Sequence, residues 1–244
     1  VERGSTHIAH QDRVLRAAHA RWGLDFAGID PRMVARETEE YALADRVATG
    51  SRAAAATFPR FGVAAGRLWV NPYGVDLSRF AGVERRARPD GPPRLLFVGQ
   101  VGVRKGVPWL LEAVARLKGA ARLDLVGPLD PAFRPALDRL PLDGVRLRGP
   151  LRGAALVAAF AEADLFVLPS VEEGLALVVA QAMAAGLPVV ASTATGAADL
   201  SGARPWLVPP ADSAALAAAL AAVAAGFGWD AYAARALALY RTLR

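Results

Sequence analysis

The chain has 244 residues, 54% of them hydrophobic, enough for the packed core of one large domain or two small ones and too much for a mainly disordered chain. It contains no cysteine, which excludes disulfides, thiol nucleophiles and thiolate metal sites and fits a reducing compartment. The formal charge is +6, but Lys105 and Lys118 are the only lysines among 29 basic residues and the arginines are spread along the chain, so the excess reads as compositional bias and not as a nucleic-acid-binding face.

In chain order, residues 10–22 and 32–46 carry helical spacing, and Arg46–Thr49 and Leu68–Val70 read as short strands. Leu77 to Pro93, with clustered charge and Asp-Gly-Pro-Pro, reads as a surface connection. From Arg94 onward, short apolar runs alternate with amphipathic segments. Strands are expected at Arg94–Val98, Arg122–Val126, Val145–Leu147, Leu165–Leu168, Val189–Ala191 and Trp206–Val208. Helices are expected at Val107–Leu117, Pro131–Leu140, Ala154–Ala163, Ala176–Ala185 and Ser213–Ala224, the last capped by Asp212 or Ser213. This alternation predicts an α/β fold of βαβ units around a parallel sheet. The tail from Trp229 to Arg244 again has helical spacing. No apolar run reaches the ~18 residues of a membrane span, and no secretory signal is visible.

Two stretches carry chemistry. After the strand at Arg94–Val98 comes Gly99-Gln-Val-Gly-Val-Arg104-Lys105-Gly106, followed by a helix. Glycines there let backbone approach a bulky anion, the helix start offers free N–H groups, and Arg104 and Lys105 add charge suited to phosphate. The pattern is neither the dinucleotide fingerprint nor the P-loop. After the strand at Leu165–Leu168 comes Ser170-Val-Glu-Glu-Gly-Leu-Ala-Leu-Val-Val-Ala-Gln181. It places Glu172 and Glu173 at the carboxyl end of a buried strand, where open α/β sheets bind ligands. Glu173 is the candidate ligand group, and Glu172 reads as a surface neighbour or a charge at the helix start.

In this order the two stretches, with Asn71-Pro-Tyr-Gly-Val-Asp76, Ala163-Asp-Leu-Phe-Val-Leu-Pro-Ser170 and Gln181-Ala-Met-Ala-Ala-Gly186, resemble retaining glycosyltransferases of family 4 over roughly residues 67–226. The resemblance implies a GT-B fold. Residues 1–66 would be a partial N-terminal, acceptor-side Rossmann-like domain, 67–226 the nucleotide-sugar-binding domain, and 227–244 a helix returning to the N-terminal domain. It implies a glycosyltransferase that moves a sugar from a nucleotide-diphosphate sugar with retention, needing no metal and no cofactor beyond that donor.

Carried over by position, Glu173, Lys105 and Arg104 form the catalytic set. Glu173 contacts the donor sugar, and Lys105 and Arg104 hold the pyrophosphate. Gly99 and Gln100, the turn Gly149-Pro150-Leu151 near the base, the backbone of Gly174, Leu175, Ala176 and Leu177, and Gln181 complete the donor site. Gln181 stands where the family has a ribose-binding glutamate, and Gln100 where it commonly has an arginine. Arg3, Ser5 and His7, in Glu2-Arg-Gly-Ser-Thr-His-Ile8, are acceptor-side candidates. For His7 a partly buried loop histidine is the competing reading. Asp199 is read as a donor neighbour or a cap, and Trp206, Trp229 and Tyr240 as packing residues.

The expected partners are the donor and an unspecified acceptor, with no nucleic acid, in the cytoplasm. The basic helix Arg13–Arg21 offers contact with the inner face of a membrane as an alternative to a solvated face. The resemblance also leaves out the first half of the N-terminal domain, so the expectation is a fragment of a longer enzyme that turns over poorly alone. The alternative is a non-catalytic nucleotide-sugar-binding module or truncated remnant.

Overall fold

Short runs of two to five residues, most of them apolar, pair into two parallel sheets in the computed structural model, which describes residues 1–84, 91–200 and 205–225. The first sheet is built from β1 (Glu2–Arg3), α1 (Ile8–Arg21), α2 (Pro31–Leu43), β2 (Val47–Thr49), α3 (Arg52–Ala55) and β3 (Leu68–Val70), with strand order β1-β2-β3. Its helices start where the sequence supplies acceptors. Asp30 accepts from the Arg32 amide at 2.9 Å, with Pro31 in the first turn, and Ser51 Oγ accepts from the Ala54 amide at 3.1 Å. Ile8, Tyr41, Val47, Phe58 and Val63 form a small core beneath this sheet.

The second sheet runs through β4 (Arg94–Val98), α4 (Val107–Arg116), β5 (Arg122–Val126), α5 (Arg134–Leu137), β6 (Val145–Gly149), α6 (Gly153–Ala161), β7 (Leu165–Leu168), α7 (Leu177–Ala184), β8 (Val189–Ser192), β9 (Trp206–Val208) and α8 (Ser213–Ala225). Its order is β6-β5-β4-β7-β8-β9, all parallel. β7 and β8 are buried at every position, as central strands covered on both faces must be. On the edge strand β6, Arg146 grips Asp124 of β5 with two hydrogen bonds, at 2.9 and 2.6 Å, and charge of this kind guards a sheet edge. Asp212 caps α8, its carboxylate accepting from the Ala214 and Ala215 amides. No helix among the described residues is long and apolar enough to cross a membrane.

The sequence expectations for the strands hold to within two residues. Four details differ. The segment Pro131–Leu140 splits into a 3-10 turn, Pro131–Phe133, and the short α5. Pro135 lacks the N–H that a helix running through would donate to the Pro131 carbonyl. Phe80, inside the expected surface connection, is buried edge-to-face against Phe160 at 5.1 Å. β3 pairs with β2, so the change of sheet falls after Val70 and not after residue 66. Trp206 is 49% exposed on the edge strand instead of packed. The expected helix over 227–244, with Trp229 and Tyr240, lies outside the described residues.

The two sheets share packing through α1. Its Leu15 and Ala18, with Leu24 beyond it, join the core of the second sheet. Trp22 meets Trp109 of α4 edge-on at 5.3 Å, and Arg139 donates to the Trp22 carbonyl at 3.0 Å.

Candidate functional site

The strand order reverses direction between β4 and β7. β4 leads outward to β5 and β6, β7 the other way to β8 and β9. The loops leaving two such strands diverge and open a crevice at their carboxyl ends, which is where this class of sheet binds ligands. Both chemistry-bearing stretches emerge there.

The loops are locked together by backbone. The Val171 amide donates to the Arg104 carbonyl at 2.9 Å. Gly106, at φ +74°, lies so near the Pro169 carbonyl that a Cβ would overlap its oxygen. Only glycine fits both the left-handed backbone and that approach. Gly106 also starts α4, so the Arg104-Lys105 pair is fixed immediately ahead of a helix N-terminus.

The fixed loops bring four charged side chains into one cluster. Lys105 Nζ pairs with Glu173 Oε2. Arg104 Nε lies 2.9 Å from Glu172 Oε2, and its Nη2 lies 3.6 Å from Glu173 Oε1. Two cations thus face two carboxylates. Glu172 corrects the sequence reading: it is not a surface neighbour, and its side chain is fully buried. Its Oε1 accepts from Ser5 Oγ at 2.5 Å, Thr6 Oγ1 at 2.7 Å and the Thr6 amide at 3.2 Å. Its Oε2 accepts from Gln11 Nε2 at 3.0 Å as well as from Arg104. Burial pushes the Glu172 carboxyl up, but Arg104, the Ser5 and Thr6 hydroxyls and the Thr6 amide outweigh it and hold it below the usual carboxylate range.

The remaining donor-side candidates lie on the loops that leave β4, β6 and β7 and on α7. Gly174 stands so close to the Gly4 carbonyl that it too has no room for a Cβ, and its own carbonyl accepts from Ser51 Oγ at 2.5 Å. Leu175 and Ala176 are buried and lead into α7, whose first residue is Leu177 and whose N-cap, Ala176, supplies no side-chain acceptor. Gly99 packs against Gly127, and Gln100 is exposed beside it. The turn Gly149-Pro150-Leu151 leaves the carboxyl end of β6, with the Gly149 carbonyl accepting from the Gly127 amide at 2.9 Å. Gln181 is half-buried within α7, and its side chain is not among the hydrogen-bonded groups of the cluster.

Of the acceptor-side candidates, Ser5 reaches the cluster, since Arg104 Nη2 donates to its Oγ at 3.2 Å. Arg3 is engaged in shaping the loop, through the Thr6 carbonyl, Glu37 and Gln11. His7 caps α1 and sits inside an aromatic box, stacked on Phe61 at 4.4 Å with Tyr41 and Phe58 edge-on. Burial first, then the nearby charges of Arg3 and His10, lower its pKa to about 4, so it is neutral at ordinary pH. Asp199 acts as a cap, accepting from the backbone and side chain of Arg52 at the start of α3.

Sequence reasoning missed Glu172, Thr6 and Gln11. The available signal was the doubled acid. A second carboxylate in so apolar a stretch must find donors if it is buried.

A family profile described as "Glycosyl transferases group 1" matches residues 92–225. The MMP alpha-(1->4)-mannosyltransferase of Mycolicibacterium hassiacum is 33% identical over 218 residues, 84% of this chain and 49% of that protein. The structure of sucrose-phosphate synthase from Thermosynechococcus elongatus superposes with a TM-score of 0.63 at 30% identity, covering 86% of this chain and 61% of that one. An Anabaena protein, Alr3699/HepE, solved in complex with UDP and glucose, has the same fold with a TM-score of 0.60 at 23% identity, covering 75% of this chain and 54% of that one. The chain spans about half the length of the curated relatives it matches. With two parallel sheets of the GT-B type and a family match over the whole second sheet, the chain belongs to the group 1 glycosyl transferases.

Proposed function

We propose that this chain carries the donor side of a retaining glycosyltransferase that transfers a sugar from a nucleoside-diphosphate sugar to an acceptor hydroxyl. One observation carries the reading: Arg104, Lys105 and Glu173 converge at the switch point of the sheet, ahead of a helix start. In transfer, the bond between the anomeric carbon and the diphosphate oxygen breaks and its electron pair leaves with the diphosphate. Fixed cations aimed at that developing charge stabilise the transition state. Lys105 and Arg104 have that role, with no metal required. The acceptor oxygen then bonds to the same face of the sugar and its proton passes to the departing diphosphate.

Glu173 positions the sugar by accepting from its hydroxyls once Lys105 turns to phosphate. The amides of Gly174, Leu175 and Leu177 face sugar and phosphate, that of Ala176 being taken up by the Thr195 carbonyl at 3.0 Å, and Gln181 accepts from a ribose hydroxyl. Gly99, Gln100 and the Gly149–Leu151 turn complete the nucleotide side. On the acceptor side, Ser5 is the contact group, and Arg3 and His7 act by shaping its loop. Cytoplasmic location follows from the donor's, with α1 as the face for any membrane contact. Gln181, lacking a glutamate's charge, favours the second reading, a non-catalytic nucleotide-sugar-binding module.

Calorimetric titration with UDP, GDP and ADP tests the donor site. One of the three binds, and Lys105→Ala weakens it at least tenfold, about 1.4 kcal/mol. Undiminished affinity in Lys105→Ala overturns the phosphate assignment. Transfer from the matching nucleotide sugar separates enzyme from binding module.

A further inference from the structure

Glu172 has an unusual set of partners. Among the described residues its carboxylate accepts from four side chains and one amide of two separate units. Ser5, Thr6 and Gln11 belong to the segment between β1 and the first turns of α1, whereas Arg104 belongs to the β4–α4 loop. A carboxylate has about four lone-pair sites, and five donors fill them. Glu172 therefore has no free site for a sugar hydroxyl or an incoming proton. It acts through Arg104. With Nε held by Glu172, the guanidinium plane is fixed and its Nη2 is directed past Ser5 towards Glu173. A charge-assisted bond in a buried setting is strong and geometrically selective.

We propose that Glu172 is a positioning residue that fixes the Arg104 guanidinium for the donor diphosphate only while Ser5, Thr6 and Gln11 are seated on it. Diphosphate binding at the second sheet is then conditional on contact with the first. Gln11 extends the connection, because its Oε1 accepts from Arg3 at 2.6 Å, and Arg3 pairs with Glu37, to which Tyr41 donates. A displacement of the first sheet's loop is felt at Arg104 through one carboxylate. The two sheets also meet at Gly4 and Gly174, which lets the loop come near enough to reach it.

This inference rests on the donor-site reading, and a mutant cycle separates the two. The probe is whichever of UDP, GDP or ADP the full chain binds. Neither Thr6 nor Gln11 touches Lys105 or Glu173 through any hydrogen bond of the cluster. Thr6→Val should nevertheless weaken binding about fivefold to tenfold, and Gln11→Leu, a half-buried position that a folded chain tolerates, about threefold or more. In an Arg104→Ala background both substitutions should have no further effect. Equal losses with and without Arg104, or unchanged affinity in both single variants, overturn the positioning role while leaving the donor site intact. Failure of the unaltered chain to bind any of the three overturns the donor-site reading itself. Thermal melts of each variant identify any that is not folded, and Gln11→Leu keeps the cycle open if Thr6→Val is not.

Discussion

Lys105 and Glu173 face each other across the switch point as an ion pair, the side chains 21% and 11% exposed. Each is the other's nearest charge in the absence of ligand, but the two have opposite relations to a diphosphate. The cation attracts it, and the carboxylate competes for the cation. Glu173→Gln should therefore raise UDP, GDP or ADP affinity, by roughly threefold, since about 0.6 kcal/mol of competition is removed. The same variant should lose sugar transfer by about 100-fold or more, because the hydroxyl contact is charge-assisted. Calorimetry and an activity assay on one preparation check both. Loss of affinity in Glu173→Gln would contradict the competition.

Gly106 should be intolerant of alanine. Its φ of +74° and the Pro169 carbonyl act together. The expected cost is about 3 kcal/mol or more, a melting-point drop of roughly 6–12 °C for a chain of this size. Gly62→Ala is the control. Its φ is +86°, but nothing lies within 4 Å of the added carbon, so only the backbone strain of about 1 kcal/mol remains. Similar melting points for the two variants would remove the steric role of Pro169.

Most of the second sheet was legible in the sequence because its central strands are apolar on both faces and its strands are bounded by glycine and proline. Leu165–Leu168 could hardly be anything else. The Lys105 and Glu173 loops were legible too, as each lies directly after such a strand. Glu172 was not. Its burial depends on Ser5, Thr6 and Gln11, more than 160 positions away, and nothing local separates it from a solvated acid. Phe80 was hidden for the same reason, its partner Phe160 lying 80 residues on.

His7 makes stability depend on pH. Its folded pKa is about 4 against an ordinary 6.5. The unfolded chain thus binds the extra proton first as pH falls. The stability contributed is complete above pH 6.5 and is lost as pH falls from there towards about 4. His10 is shifted in the same direction. Glu172 adds a further loss at lower pH, below the ordinary carboxylate value of 4.5. Urea midpoints at pH 7 and pH 5 should differ, with the lower stability at pH 5. His7→Asn, which keeps an acceptor for the Ala9 amide, should be less stable at pH 7 but show a smaller difference. An unchanged difference would place the titration elsewhere.

Gln181→Glu should strengthen nucleoside-diphosphate binding. A carboxylate accepts from ribose hydroxyls with charge assistance, gaining about 1 kcal/mol, roughly fivefold. Inorganic pyrophosphate, which has no ribose, should gain nothing. A gain for neither probe would remove Gln181 from the ribose contact.

The balance of two cations against two carboxylates in the crevice has a consequence for selectivity. A site with no net charge gives a passing anion little reason to enter, because any phosphate that takes Lys105 leaves Glu173 with only the longer contact to Arg104 at 3.6 Å. A molecule carrying phosphate and hydroxyls on the same short frame relieves both at once. Admission is by exchange, and free phosphate has only half of what must be exchanged.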